Sequence, residues 1–297
     1  MKPIIVPGYY DYVGIYVTNK CHLHCFYCVT EHFGTAYKKN RSTELTPDQW
    51  IEGLNRLVLP RDIPITLQGG EPFIYKGIWK ILENITHKVD IMTALPPTLK
   101  RENFLKLKTL DWNKREAPYP TIRVSYHKGQ NDFEDLIPRI AELQDILSIG
   151  LYYFGYPINT DDEIVALKAC AQKYGVELRE KEFLGEWNGK HYGRYQYKDA
   201  SAGKRLGIEV LCKNSVAVIG HDGDIYHCHS DHYFNKKELV LGNILDKHFE
   251  FPAEHLPCSN YGLCSACDVK IKTNHLQIDG YTSVDIKFPK SYRRPET

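Results

Sequence analysis

No stretch of the chain approaches the roughly 18 consecutive apolar residues that a membrane-crossing helix requires, and the N-terminus lacks the apolar core of a secretion signal. These absences exclude a helical membrane protein and a secreted one, and point to the cytoplasm. Charge of either sign is not in excess, since 38 Lys and Arg face 37 Asp and Glu for a formal charge of +1. A broad basic face for nucleic acid is therefore not expected. Internal repeats and low-complexity segments are also lacking. What remains is an ordinary globular composition, 42% hydrophobic and 25% charged over 297 residues, long enough for one large domain with an appendage or two modest ones.

Cysteine is the residue that stands out, with nine in the chain. In a reducing compartment thiols stay free, so an odd set of this size reads as metal ligands and not as a disulfide framework. Cys21-His22-Leu23-His24-Cys25-Phe26-Tyr27-Cys28 follows an apolar run at residues 12–17 and carries three thiols at spacings of four and three. Three from one loop is one fewer than a closed tetrahedral site needs. Either a fourth residue comes from elsewhere or one coordination position stays open. Soft thiolates alone would accept zinc, copper(I) or an iron–sulfur cluster.

Along the chain, residues 12–19 read as a strand delivering that loop. A helix is expected near 46–57, with Thr46 as N-cap and Pro47 at the first position. The strand Pro64-Ile65-Thr66-Leu67-Gln68 then runs into Gly69-Gly70-Glu71-Pro72, where two glycines allow a tight bend and close backbone approach to a ligand. Helices near 77–85, 99–110, 133–147 and 160–174 alternate with strands at 89–94, 121–125, 147–154 and 176–183. Six strand–helix alternations imply a parallel sheet with right-handed crossovers, doubly wound or curled into a barrel. Ligands of such sheets sit at the C-terminal strand ends, where the cysteine loop, Glu71, Ser125 and Gly155 fall.

The C-x3-C-x2-C loop, with an aromatic just before its last Cys, resembles that of radical S-adenosylmethionine (SAM) enzymes. The Gly69-Gly70-Glu71-Pro72 turn resembles their GGEP motif. This resemblance implies a partial (β/α)6 TIM-like barrel over residues 1–185. It implies that Cys21, Cys25 and Cys28 hold three irons of a [4Fe–4S] cluster, with SAM chelating the fourth through its amino and carboxylate groups. Tyr27, Gly69, Gly70, Glu71, Ser125, Tyr152 and Arg179 become the expected cofactor-binding residues by analogy. His127 and Arg179 read equally as solvated or core-capping side chains.

Residues 186–204, rich in aromatics, Gly and charge, read as a linking or substrate-covering loop without helix or strand. From 205 to 297 the character changes. Cys212 and Cys228 flank a hairpin around His221-Asp222-Gly223, and Cys264-Ser265-Ala266-Cys267 follows. This segment resembles the auxiliary-cluster extension of the same family in its shorter "twitch" form, related to the longer SPASM form. The fold class expected is thus α/β, the barrel carrying a small C-terminal cysteine-rich hairpin and helix domain. In that resemblance Cys212, Cys228, Cys264 and Cys267 hold a second [4Fe–4S] cluster. A zinc ribbon is the competing reading, with His221, His227, His229 and His232 as further candidate ligands. Cys170 lies among apolar residues of an amphipathic helix and reads as core. Cys258 reads either as a replacement ligand or as a free thiol facing substrate, in which role it would be catalytic.

The resemblance implies SAM cleavage to a 5′-deoxyadenosyl radical and hydrogen-atom abstraction, with an external one-electron donor such as a flavodoxin or ferredoxin. The first expectation is oxidation or epimerisation of a polar small molecule such as a sugar or aminocyclitol. The second is a peptide maturase that forms a crosslink or epimerises a residue, although eleven residues before the first strand leave no room for a leader-binding domain. The third is a non-enzymatic, zinc-stabilised binding module.

Overall fold

Alternation along each strand decides which side chains meet the helices and which meet the concavity. A computed structural model of the chain describes residues 2–25, 27–28, 43–114, 119–252, 255–273 and 279–293. Phe26 of the cysteine loop lies outside them, as do residues 274–278 and 294–297 of the C-terminal stretch. The described elements include β1 (Tyr12–Thr18), α1 (Pro47–Leu54), β2 (Ile65–Gly69), α2 (Ile78–Asn84), β3 (Val89–Thr93), β4 (Ile122–Tyr126), α3 (Phe133–Ala141), β5 (Ile149–Phe154), α4 (Asp161–Lys173) and β6 (Leu178–Lys181). Strands β1 to β6 lie side by side in chain order, and every neighbouring pair is parallel.

Val13, Ile15, Ile65, Leu67, Val89, Ile91, Ile122, Val124, Ile149 and Leu151 turn toward the helices. They share one core with Trp50 and Leu54 of α1, Ile78 and Ile81 of α2, Ile137 and Ile140 of α3, and Leu167 of α4. Trp50 is fully buried, so truncating it would cost about 3–5 kcal/mol. The capping expected at Thr46 is present in full: its hydroxyl accepts from the Gln49 amide and the Gln49 side chain accepts from the Thr46 amide. The Thr160 hydroxyl caps α4 by accepting from the Glu163 amide, and three acids in the first turn suit the helix dipole. Cys170 sits on α4, packed against the core.

Three expectations change. The helix expected at 99–110 is four residues of helix, Arg101–Phe104, continuing as 3-10 turns to Thr109. The segment expected to lack strands forms a hairpin of β7 (Gly185–Trp187) and β8 (Lys190–Tyr192), whose tight turn places Asn188 and Gly189 at positive φ. The C-terminal region is also not a single appended unit. Its β9 (Val210–Asn214) belongs to a separate small sheet. By contrast, β10 (Val216–Ile219) pairs in parallel with β1, so β10, β11 (Asp224–Tyr226) and β12 (Val240–Asn243) extend the barrel sheet to nine strands among the described residues. Beyond α5 (His229–Tyr233), β13 (Leu256–Cys258) and β14 (Val284–Lys287) flank β9 on either side, and α6 (Ala266–Val269) lies between them in the chain. Among the described residues no helix is long and apolar enough to cross a membrane.

Candidate functional site

The cysteine loop leaves β1 and is seated at once against the turn after β2. The Gly70 amide donates to the Thr18 carbonyl at 2.8 Å and the Glu71 amide to the Lys20 carbonyl at 2.7 Å. Gly69 adopts φ +139, which favours glycine, and a β-carbon on Gly70 would lie 1.9 Å from the Lys20 carbonyl oxygen. The glycine pair is therefore needed for the two loops to meet. Glu71, 1% exposed, braces the turn: its Oε1 accepts from the Phe73 amide and the Thr93 hydroxyl, and its Oε2 from the Ala94 amide. Burial pushes its pKa up to about 7, against the pull of those three donors. Both oxygens are engaged by the protein, so this loop offers a ligand its backbone first.

A second pair of contacts ties the cysteine loop to the end of β4. Tyr27 Oη lies 2.9 Å from His127 Nδ1, and the His24 amide donates to Gln130 Oε1 at 2.7 Å. Burial, with the charges of Lys181 and His22, holds His127 down to about 4, so its ring is neutral. Cys25 is buried and Cys21 exposed. Burial pushes Cys25 up to about 12, with the charges of Cys28 and Cys21 adding. Burial also raises Cys21, to which Glu71 and Cys28 add. Three thiols in mutual electrostatic reach cannot all ionise without positive charge among them, and metal cations supply it. Beside them, both polar atoms of the Asn19 side chain are buried without a hydrogen-bond partner. Donor set and orphaned amide both fit an iron–sulfur cluster with a polar co-ligand.

The concave face of β1 to β6 carries the remaining expected residues. Ser125, 7% exposed, stands opposite Tyr152 in the ladder, and Tyr152 opposite Arg179. The Tyr152 hydroxyl is buried without a partner, and burial pushes it up to about 12. Arg179 is ion-paired with Glu177. Two side chains that the sequence reading passed over lie on this face. Lys181, the last residue of β6, holds its Nζ 5.1 Å from the centre of the Tyr152 ring, and Arg123 of β4 lies 3.5 Å from Asp90. The period-2 pattern carried the signal, because Arg179 and Lys181, and likewise Arg123 and Ser125, share a strand face.

Of the second cysteine set, the structure brings Cys212, Cys258 and Cys264 together. Val210 faces Cys258 in the β9–β13 ladder, which sets Cys212 and Cys258 diagonally on one face. Burial raises Cys212, and the charges of Cys258 and Cys264 raise it further. Cys228 is raised by burial, with Cys212 among the lesser causes. Cys267 is felt instead by Lys181 and Tyr195. Cys258 thus stands with Cys212 and Cys264 of the thiol group expected at Cys212, Cys228, Cys264 and Cys267. His229 and Asp268 fasten the segments behind Cys228 and Cys267: Asp268 Oδ1 is 2.7 Å from His229 Nδ1, and Oδ2 accepts the His229 amide at 3.1 Å. Among the described residues no three His, Cys, Asp or Glu side chains converge on a single metal ion. Zinc would need its sulfurs about 4 Å apart, whereas cluster ligands stand on separate irons and spread wider.

Comparison with known proteins bears on this geometry. A sequence model of the Radical SAM superfamily matches residues 15–171. The chain is 27% identical over 178 residues to a probable GTP 3′,8-cyclase of Methanocaldococcus jannaschii, covering 57% of this chain and 58% of that protein. It is 28% identical over 138 residues to the GTP 3′,8-cyclase of Alkaliphilus metalliredigens, covering 46% and 41%. The chain thus spans about half the length of these relatives. Streptococcus suis SuiB, crystallised with precursor peptide SuiA, shares the fold at a TM-score of 0.51 and 12% identity, over 84% of this chain and 64% of that one.

Proposed function

The chain belongs to the radical SAM superfamily, and from that premise we propose that it cleaves SAM reductively and directs the resulting radical at one C–H bond of a polar small molecule, ending in oxidation or epimerisation. A bound [4Fe–4S] cluster would supply the electron for reductive cleavage of SAM. Cys21, Cys25 and Cys28 would hold three irons. The backbone at Gly69 and Gly70, braced by Glu71, would receive the amino end of SAM, with Ser125 farther along the concave face. The barrel wall orients the substrate and excludes water. The observation that carries this reading is the pair of backbone hydrogen bonds from Gly70 and Glu71 to Thr18 and Lys20, which set the thiol loop against the glycine turn.

Cys212, Cys228, Cys258 and Cys264 would hold a second cluster, a destination for the electron removed in an oxidation. The grouping of Cys258 with Cys212 and Cys264 supports a ligand role over that of a hydrogen-donating thiol, and so favours oxidation over epimerisation. Cys258→Ala tests this. Loss of iron along with product supports the ligand role, whereas full iron with deoxyadenosine but no product supports hydrogen return.

A peptide substrate is the second reading, favoured by the fold shared over 84% of this chain with a protein crystallised on a precursor peptide. Conversion of a small-molecule substrate with deoxyadenosine formed in equal amount, against modification of a genomically neighbouring peptide, separates the two readings.

A further inference from the structure

The concave face carries more positive charge than its acids engage. Arg123 is held by Asp90, which is 1% exposed and also accepts from the Tyr119 hydroxyl at 3.3 Å. Arg179 takes Glu177, and Glu180 takes the Tyr153 hydroxyl at 2.9 Å. Lys181 is left with no carboxylate partner among the described residues. Its ammonium lies over the faces of Tyr152, at 5.1 Å, and Phe154, at 5.5 Å. Arg123, and Lys270 from the C-terminal segment, both act on it as like charges.

Two buried donors on this face lack partners. Arg123 Nε and Tyr152 Oη are both shielded from solvent and make no hydrogen bond. Buried polar groups are normally paired, and two orphans on one face mark a place where a polar ligand completes them. Cations facing one another over a partly desolvated surface raise the local potential, which a compact anion relieves. An Arg edge, an ammonium and a phenol together match the oxygens of a carboxylate or phosphate.

We propose that Arg123 and Lys181, with the Tyr152 hydroxyl, form an oxyanion subsite on the concave face that anchors a carboxylate or phosphate of the substrate. It rests on the radical SAM reading only for the word substrate, since the anion site is a property of the side chains themselves. It replaces the sugar or aminocyclitol expected from sequence with an acidic molecule. Lys181 neighbours Cys267 of the C-terminal segment and also Phe154, whose ring lies 6.0 Å from that of Tyr27 in the Cys21–Cys28 loop, so competition with SAM separates a substrate anion from the carboxylate of SAM.

The test uses the full chain, reconstituted without oxygen, titrated with inorganic phosphate and separately with acetate at constant ionic strength, with chloride as reference. Binding is read by the shift in unfolding temperature and by calorimetry. Saturable binding of one of the two anions is expected, phosphate preference indicating a phosphorylated substrate and acetate preference a carboxylate. Lys181→Met should weaken it about tenfold, the loss of one charge-assisted hydrogen bond. Lys213→Met, whose ammonium lies over Tyr9 away from this face, should leave it unchanged.

Absence of saturable binding to either anion, or equal affinity in Lys181→Met, overturns the proposal. So does displacement of the anion by SAM, which would assign the subsite to the carboxylate of SAM. Failure of the wild-type protein to bind SAM at all would sink the enzyme reading while the anion titration still stands.

Discussion

Gly70 and Lys20 meet so closely that a β-carbon on the glycine would fall 1.9 Å from the lysine carbonyl oxygen. That oxygen accepts from the Glu71 amide, so it cannot move away without opening the junction of the two loops. Gly70→Ala should therefore destabilise the protein by about 1–3 kcal/mol and weaken SAM binding. Gly8→Ala, where nothing lies within 4 Å, should stay within about 0.5 kcal/mol of wild type. Urea unfolding of both variants checks the contrast.

Glu71 gives the fold a pH signature. Its pKa is raised from 4.5 to about 7 by burial, so the folded state prefers the neutral carboxyl. A raised pKa means that this stabilisation is complete below the unfolded value near 4.5 and is lost as pH rises through about 7. Between pH 4.5 and 8 the wild type should lose about 2–3 kcal/mol more than Glu71→Gln. Parallel stability curves for the two proteins would reject this.

The His229–Asp268 pair links the segments that follow Cys228 and Cys267, and it is buried on both sides. Burial raises Asp268, but His229 outweighs it, with Lys272 adding, and the carboxyl is held below its ordinary range. Asp268→Ala strips two donors of their acceptor, at about 1–3 kcal/mol each. Its C-terminal unit should melt earlier and retain less iron, as differential scanning calorimetry and iron counting would report.

Tyr27→Phe removes the 2.9 Å contact with the neutral His127 and keeps the ring. The expected loss is about 0.5–1.5 kcal/mol, measured by chemical unfolding. Unchanged stability would mean that the loop is held without that contact.

Much of this architecture could be read along the chain because its determinants are local. The caps at Thr46 and Thr160 are written within four residues, and the apolar strands that alternate with helices need no distant partner to be recognised. The β7–β8 hairpin escaped because a short exposed ladder has no apolar period. The parallel pairing of β10 with β1 joins residues about 200 apart in sequence, which no window of periodicity spans. At the site, the thiol spacing and the glycine turn were legible as motifs. Lys181 was not, since a lysine at a strand end ordinarily reads as solvated. Only the register Phe154–Lys181 and the Tyr152 ring beneath its ammonium place it inside. The grouping of Cys258 with Cys212 likewise depends on the β9–β13 ladder.

The central claim is that Cys21, Cys25 and Cys28 hold a cluster that reduces SAM, and its most direct test is deoxyadenosine formation by oxygen-free reconstituted protein given SAM and dithionite. The wild type should carry about eight irons per chain and form 5′-deoxyadenosine and methionine in equal amounts. The Cys21→Ala, Cys25→Ala, Cys28→Ala triple variant should keep about four irons and form neither. Deoxyadenosine from the triple variant, or none from an iron-loaded wild type, would contradict the account.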